Sequence, residues 1–260
     1  MSPPSPSPLP GGDVPAGPVA STDLPVPASA LAIVAHPDDA EFHCGATLAK
    51  WAAHGCVLNH LVLTDGSKGT WDPDADIEAL AEERTREQME AASLLGSSGK
   101  VVMLGHVDGE LQASLHVRDQ VAYWIRAIEP EVVLAHDPWK RYRLHPDHRS
   151  AGWLALDGVV AARDPHFFRH HDVDVHRTRA VLLFEADEPD HVEDVTGFVD
   201  TKASALLAHR SQYFSTHGIP PGDDGTAADA FRDKVRAQAA AIGSRTGVAA
   251  GEVFKAMTEL

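Results

Sequence analysis

The chain has 260 residues, and 43% of them are hydrophobic, which suffices for the core of one large α/β domain or two small ones. Its formal net charge is −16 at pH 7, and the sequence contains no cluster of Lys and Arg of the kind that phosphate binding requires, so a nucleic-acid partner is disfavoured. The two cysteines, Cys44 and Cys56, are too few for a disulfide scaffold and indicate reduced thiols in a cytoplasmic protein.

The first 28 residues differ in composition from the rest. They contain nine of the 18 prolines and no Lys or Arg, so we predict a disordered tail over residues 1–28 and a single domain over residues 29–260. The tail lacks the apolar core of a signal peptide. The sequence nowhere approaches the roughly 20 apolar residues of a membrane span, so none is predicted. A homo-oligomer is compatible with all of these features.

The predicted domain begins with a strand, a helix and a second strand. Residues 30–35 form an apolar run that ends at the polar sequence His-Pro-Asp-Asp of residues 36–39, the pattern of a buried strand followed by a functional loop. Residues 43–54 place apolar side chains on one helical face before Gly55, and residues 57–63 are again apolar. This order is the crossover unit of a parallel sheet.

The same alternation continues along the chain and predicts a Rossmann-like, doubly wound, mostly parallel sheet with helices on both faces. The further predicted elements are helix 77–95, strand 101–104, helix 117–128, strand 132–135, strand 180–184 and helix 227–242. Ligands of such sheets bind beyond the carboxyl ends of the strands, and the unusual polar residues of this chain concentrate in loops at those ends. The loops are residues 36–41, 64–71, 105–110 and 136–148.

The first loop carries His36, Asp38, Asp39 and Glu41. Two adjacent carboxylates beside a histidine at the end of a buried strand repel each other and lose solvation unless a cation lies among them. A divalent metal resolves that conflict. An Asp that caps the following helix is the structural alternative, but capping accounts for one carboxylate and not for the whole group.

The last loop ends with His145, Asp147 and His148. Histidines three apart lie on the same side of a helical turn, so both can reach one site. Imidazole and carboxylate ligands together favour zinc or iron over magnesium or calcium. The repeated His-Pro-Asp sequence in two strand-end loops favours one shared site, although the residues alone leave open which histidine binds the metal.

The sequences His-Pro-Asp-Asp at residues 36–39 and His-Pro-Asp-His at residues 145–148 resemble the paired motif of the PIG-L/LmbE deacetylases. Members of that family are zinc hydrolases that remove acetyl groups from N-acetylglucosamine-type substrates. The resemblance covers residues 30–212. It implies a de-N-acetylase, an amide hydrolase that acts on a small amino-sugar glycoside or glycoconjugate and holds one Zn²⁺ per chain, with Fe²⁺ as the alternative metal.

The resemblance also implies a role for six residues of the two motifs. Three of them hold the metal and three act in catalysis. The metal ligands are His36, Asp39 and His148; Asp38 is the general base, His145 stabilises the oxyanion or protonates the leaving amine, and Asp147 orients a histidine. Three protein ligands leave one coordination position open for water, as in catalytic zinc sites.

Weaker parts of the resemblance place Arg84 and Asp108 in the substrate pocket. Arg84 has an alternative interpretation as a solvated charge in a charged helix, and Asp108 has one as a turn residue. Arg143 stands where some relatives have a tyrosine near the oxyanion. The basic and aromatic residues 137–143 could bind an anionic or ring-bearing part of the substrate or simply offset the acidic surface. The His-rich residues 166–176 have no counterpart in the family.

Two other functions compete with the deacetylase. A metal-dependent phosphoesterase predicts two metal ions per chain and turnover of phosphate esters, because His and Asp residues also build two-metal sites. A non-catalytic metal- or carbohydrate-binding protein would lack the general base, yet Asp38 is present.

Overall fold

The predicted doubly wound sheet is confirmed by the structure, a computed structural model that describes residues 19–260. The strands within this range are β1 (Ser21–Thr22), β2 (Ser29–Val34), β3 (Val57–Thr64), β4 (Val101–His106), β5 (Val132–His136), β6 (Ala180–Phe184), β7 (His191–Asp194) and β8 (Gly251–Met257). The helices are α1 (Asp39–Ala53), α2 (Ile77–Leu94), α3 (Leu115–Ile128), α4 (Pro146–Arg163), α5 (Val199–Leu206) and α6 (Thr226–Thr246). The strands of the described range form one sheet in the order β1-β7-β8-β6-β5-β2-β3-β4.

Strand β2 lies in the middle of the sheet, parallel to both β3 and β5. Residues 30–34 of this strand are fully buried, as expected for a parallel strand that helices cover on both faces. The chain runs from β2 to β3 on one side and returns to β5 on the other. The strand order therefore reverses at β2, and a ligand crevice is expected at the carboxyl ends of β2 and β5.

Alternate side chains of β2 enter two apolar cores. Ala32 and Val34 share one core with Leu48 and Trp51 of α1. On the opposite face, the residues that pack together are Leu31 and Ile33 of β2, Val121 and Ile125 of α3, and Leu154 of α4. Each large apolar side chain buried in this way stabilises the fold by about 1.5–3 kcal/mol, which makes the sheet a rigid support for the loops at its edge.

Helix α1 differs from its prediction. The sequence predicts a helix from residue 43, whereas the helix begins at Asp39, directly after the loop that follows β2. Asp38 precedes it with a left-handed backbone, φ 97°, and a kink at Cys44, φ −141°, divides the helix near the predicted start. The two acidic residues 39 and 41 thus belong to the first helical turn, where they also interact favourably with the helix dipole.

Several elements were not predicted from the sequence. They are β1, β7, β8 and α4. Strand β8 pairs antiparallel with both β6 and β7, so its place depends on partners far away in the chain. Helix α4 begins with Pro146 at its first position, where the fixed φ of proline is compatible with a helix.

The predicted boundary of the N-terminal tail at residue 28 is wrong. Strand β1 pairs with β7, and the backbone N–H of Leu24 donates to Glu193 Oε1 at 2.8 Å, so the sheet includes residues well before 29. Residues 1–18 of the predicted tail lie outside the described residues. No helix among residues 19–260 has both the length and the apolar composition needed to cross a bilayer.

Candidate metal centre

Polar side chains from three elements meet at the carboxyl ends of β2 and β5. His36 follows β2, Asp39 opens α1, and His148 lies in the first turn of α4. The three residues are thus held by a buried strand and two helix N-termini rather than by long loops. His36 and Asp39 expose only 7% and 5% of their surface.

The nitrogen and oxygen atoms of these three side chains lie at metal-ligand spacing. His36 Nδ1 is 3.2 Å from His148 Nε2 and 3.4 Å from Asp39 Oδ2, and His148 Nε2 is 3.4 Å from Asp39 Oδ1. Ligands at about 2.0–2.2 Å from a tetrahedral zinc lie roughly 3.3–3.5 Å from one another. The side chains therefore fit a divalent metal without rearrangement.

Two further carboxylates surround the outer nitrogen of His36. Its Nε2 lies 3.1 Å from Asp108 Oδ1 and 3.2 Å from Asp147 Oδ2. Asp147 is itself fixed, because its carboxylate accepts the backbone N–H groups of Gly109 at 2.6 Å and Leu111 at 3.2 Å. Metal-bound histidines characteristically donate their second N–H to a carboxylate, so this arrangement leaves Nδ1 of His36 free to coordinate.

The charges around His36 also favour a cation. Burial opposes protonation of the imidazole, yet the carboxylates of Asp108, Asp147 and Asp39 together raise the pKa of His36 well above its usual value. Three buried carboxylates around one imidazole leave an excess of negative charge that a single proton does not balance. A divalent cation among the ligand atoms would balance it.

Asp38 is buried beside the ligands and held by helix α2. Its backbone N–H donates to Gln88 Oε1 at 3.0 Å, and Arg84 Nη2 lies 3.1 Å from Asp38 Oδ2. Burial raises the pKa of Asp38 to about 6, while the Arg84 guanidinium opposes that rise. The carboxyl group is thus an anion near neutral pH with a proton affinity suited to a general base.

His145 forms the solvent side of the centre. It is exposed and lies at the N-cap of α4, and its ring centroid is 4.6 Å from that of His36 and 4.8 Å from that of His148. Partial burial against these rings and the charge of His36 lower the pKa of His145. A neutral imidazole at the mouth of the site can face a substrate and donate one hydrogen bond to it.

The structure adds His43, His136 and Glu185, which the sequence did not single out, and brings Arg143 to the same place. His136, the last residue of β5, places Nε2 3.2 Å from Asp39 Oδ2. Behind it lie His43 of α1, Glu185 after β6, and Arg143, whose Nη1 is 2.6 Å from Glu185 Oε2 and 2.7 Å from His148 Nδ1. Glu185 follows a strand of the sheet, so the rule that ligands bind beyond strand ends would have found it had the loop after β6 been included.

Arg84 and Asp108, which the resemblance places in the substrate pocket, are both buried, so the alternative of a solvated charge does not hold for Arg84. Arg84 is 3% exposed, and besides Asp38 its guanidinium donates to the carbonyl oxygens of Pro37 and Gly66. A Cβ at Gly66 would lie 2.8 Å from Arg84 Nη1, so glycine is required there for the arginine to reach Asp38. Asp108 is 5% exposed and contacts His36. Arg84 thus contacts Asp38, and Asp108 contacts His36, on the buried side of the candidate centre.

Tyr142 and the His-rich residues 166–176 form no contact with the ligand atoms among those described. Tyr142 is 93% exposed. In the His-rich residues 166–176, His170 and His171 contact Asp119 of α3, and this group forms no contact with the metal centre among those described.

The sequence and the structure were compared with known proteins. Residues 31–158 match the family model of PIG-L, described as GlcNAc-PI de-N-acetylase. The chain is 36% identical over 186 residues to the diacetylchitobiose deacetylase of Thermococcus kodakarensis, and the match covers 70% of this chain and 69% of that protein. It is 29% identical over 162 residues to the 1D-myo-inositol 2-acetamido-2-deoxy-alpha-D-glucopyranoside deacetylase of Streptomyces avermitilis, with 53% of this chain and 54% of that protein covered.

Among solved structures, the N,N'-diacetylchitobiose deacetylase from Pyrococcus horikoshii is similar over nearly the whole chain. It superposes with a TM-score of 0.79 at 30% sequence identity, and the match covers 89% of this chain and 84% of that chain.

Proposed function

The chain belongs to the PIG-L family of GlcNAc-PI de-N-acetylases, and from that membership we propose that it hydrolyses the acetamido group of an N-acetylglucosamine-type glycoside or glycoconjugate. The reaction releases acetate and leaves a free amine on the sugar. Relatives that are named as deacetylases of diacetylchitobiose and of an inositol-linked 2-acetamido sugar support this substrate class.

We further propose zinc as the metal, held by His36, Asp39 and His148. The observation that carries this proposal is the close approach of the three side chains. His36 Nδ1 and His148 Nε2 lie 3.2 Å apart, and each lies 3.4 Å from one of the two carboxylate oxygens of Asp39. Two imidazoles and one carboxylate are a ligand set of catalytic zinc enzymes. Fe²⁺ accepts the same ligand types and is the alternative.

A metal ion in this position would supply a water of pKa near 7 and polarise the acetyl carbonyl. The side chains of the protein have separate tasks. Asp38 accepts the proton of the attacking water, and since burial raises its pKa to about 6, it is ionised at neutral pH and still basic enough to take that proton. Arg84 and Gln88 hold Asp38 in place through its carboxylate and its backbone N–H.

His145 acts on the opposite side of the scissile amide. Its exposure at the mouth of the site and its ring contacts with both histidine ligands support a role near the carbonyl oxygen or the leaving nitrogen. As a neutral imidazole it donates a hydrogen bond to the developing oxyanion. To protonate the amine as the C–N bond breaks, it must first take up a proton, and the proton that Asp38 accepted from the water is the source within the site. Asp147 and Asp108 orient His36 from behind.

The proposal is tested by measuring acetate release from N-acetylglucosamine and N,N'-diacetylchitobiose. Phosphate release from an aryl phosphate is measured beside it. The protein is assayed as purified, after chelation, and after readdition of Zn²⁺ or of Fe²⁺ under anaerobic conditions. We expect acetate and free amine in equal amounts, loss of activity on chelation and recovery with the metal.

The competing functions predict different results. Phosphate release from the aryl phosphate without acetate release would identify a phosphoesterase. Metal binding without turnover of any N-acetylated sugar would favour the binding protein. Activity that survives complete metal removal would contradict the metal-dependent mechanism.

A further inference from the structure

Glu41 stands in the sequence beside His36, Asp38 and Asp39, yet the proposed mechanism gives it no task. It lies in the first turn of α1 and is fully buried. Among residues 19–260, it belongs to none of the clusters of three or more histidine and carboxylate side chains whose atoms lie close enough to share a metal ion. The buried carboxylate of Glu41 therefore calls for an explanation other than metal binding.

The Glu41 carboxylate contacts Gln88 of α2. Gln88 Nε2 donates to Glu41 Oε1 at 2.9 Å, and the Gln88 side chain is itself fully buried. The other carboxylate oxygen, Oε2, has no hydrogen-bond partner among the described residues and lies 3.6 Å from His209 Nε2. Burial of a carboxylate with one unpaired oxygen is unfavourable, so a contribution to stability does not account for Glu41.

The contact with Glu41 determines which end of the Gln88 amide faces Asp38. The backbone N–H of Asp38 donates to Gln88 Oε1 at 3.0 Å. A side-chain amide has one accepting and one donating end, so the NH₂ group of Gln88 requires an acceptor on its other side, and Glu41 Oε1 is that acceptor. Without it, the amide would be free to turn its NH₂ group toward the Asp38 N–H, where two donors would face each other.

The backbone of Asp38 depends on such a contact because its conformation is unfavourable. Its φ of 97° lies in the left-handed region, which a residue with a side chain rarely adopts. An aspartate that caps a helix ordinarily has an extended backbone and accepts a helix N–H with its carboxylate, but Asp38 forms no such cap and its carboxylate contacts Arg84 instead. A conformation of this kind persists only where neighbouring groups fix it.

We propose that Glu41 is a positioning residue for the general base. It orients the amide of Gln88, and that amide holds the backbone of Asp38 in the left-handed conformation in which its carboxylate lies beside the metal ligands. The inference rests on the proposed function, since Asp38 is the general base only in that reaction. The property that Glu41 must supply is the acceptor Oε1 and not a charge, because its partner is a neutral amide.

The first experiment tests the backbone of Asp38 without any substrate. Hydrogen exchange of the Asp38 N–H is measured by NMR in the unchanged protein, in Glu41→Gln and in Glu41→Leu, with Glu41→Met as a second variant that lacks the acceptor oxygen. Glu41→Gln still offers an acceptor to Gln88, so exchange should stay slow, whereas the loss of the acceptor should accelerate exchange by about tenfold. The N–H of Leu134, in the buried strand β5, is the internal control and should exchange at one rate throughout.

The second experiment tests the effect on turnover. Because misplacement of a reacting group lowers the rate, we expect Glu41→Leu to lower kcat by about 10²-fold with little change in KM, and Glu41→Gln to retain most of the kcat. Since Glu41 acts through Gln88, Glu41→Leu combined with Gln88→Leu should lose no more than Gln88→Leu alone. Glu83→Leu, which removes an exposed carboxylate from α2, is the matched control and should leave kcat unaltered.

Three results would overturn the proposal. They are slow exchange of the Asp38 N–H in the variants without the acceptor, a loss of kcat in Glu41→Gln as large as in Glu41→Leu, and additive losses in the combined variant. Absence of acetate release from the unchanged protein would instead contradict the proposed function, and the exchange rates would still decide whether Glu41 supports the backbone of Asp38.

Discussion

The metal centre and a surface group both bring His and Asp side chains close together, and they differ in almost every other respect. The metal centre of His36, Asp39 and His148 is buried at the switch point of the sheet. The other group, Asp119 with His170 and His171, lies on the surface, and the His170 side chain is 67% exposed. Short distances between histidine and carboxylate atoms occur in both, so distance alone does not identify a catalytic site.

The difference lies in what surrounds the ligand atoms. Around His36, Asp108 and Asp147 add negative charge and fix the imidazole, and backbone N–H groups fix Asp147 in turn. The surface group has a single carboxylate. An arginine contacts a histidine in both groups, since Arg126 lies 3.0 Å from His171 Nδ1 and Arg143 lies 2.7 Å from His148 Nδ1. The difference is therefore the number of carboxylates, which stabilises a cation more strongly in the first environment than in the second. The predictions below test this contrast, beginning with the largest expected effect.

Removal of a metal ligand should distinguish the metal centre from the surface group most clearly. His148→Ala takes away one of three protein ligands, so we expect bound zinc to fall from one per chain toward zero. Acetate release should fall by about 10³-fold or more, because the metal contributes several kcal/mol to the barrier reduction. Elemental analysis and the acetate assay measure both quantities. His170→Ala is the control. Equal losses of zinc and of acetate release in the two variants would refute the distinction between the metal centre and the surface group.

His145→Ala tests the solvent side of the centre. The proposed role in stabilising the oxyanion or protonating the amine predicts a fall in kcat of about 10²–10⁴-fold, while zinc content stays unchanged because His145 is not assigned as a ligand. Steady-state kinetics on the best substrate give the value. His166→Ala changes an exposed histidine outside the site and should have no effect. A loss of zinc together with activity in His145→Ala would instead make this residue a ligand.

Asp147→Asn tests the support of His36 without removing a ligand. The amide keeps the size of the side chain but weakens the acceptor for His36 Nε2, and changes of this kind lower metal affinity or activity by about 10–100-fold. Competition with a chelator measures the zinc affinity. Asp119→Asn makes the same change in the surface group and should leave that affinity unaltered. An unchanged zinc affinity in Asp147→Asn would show that Asp108 alone is a sufficient acceptor for His36 Nε2.

The smallest expected effect concerns pH. Burial raises the pKa of Asp38 and Arg84 opposes that rise, so Arg84→Met should raise the pKa further. A general base must be ionised, and the acid limb of the kcat/KM profile should therefore move to higher pH, by about one unit or more. Arg86→Met alters an exposed arginine on the same helix and should leave the profile in place. A limb that moves to lower pH would contradict the role of Asp38.

The fold was largely predictable because buried parallel strands have a strong sequence signal. Strand β6 was predicted to the residue, and β2 and β3 to within one residue at each end. Strand β8 gave no such signal, since its antiparallel position depends on pairing with β6 and β7. Helix α1 was placed too late because residues 36–41 were interpreted as a loop, whereas the left-handed Asp38 allows the helix to begin at Asp39.

The site was predictable to the extent that its residues stand in motifs. The structure brings together His36, Asp39 and His148, which the paired motif had indicated. Arg84 is buried beside Asp38, and a charged helical run gives no sign that one of its arginines is buried. Glu185 is a single acidic residue after an apolar strand, and only its position at the sheet edge connects it with Asp39 and His136.

The central claim is that Asp38 is the general base of a metal-dependent deacetylation. It is tested most directly by Asp38→Asn, with zinc content and acetate release measured on the same samples as the unchanged protein. The account predicts that kcat falls by about 10²–10⁴-fold while one zinc per chain is retained. A variant that keeps its zinc and deacetylates at the original rate would contradict it.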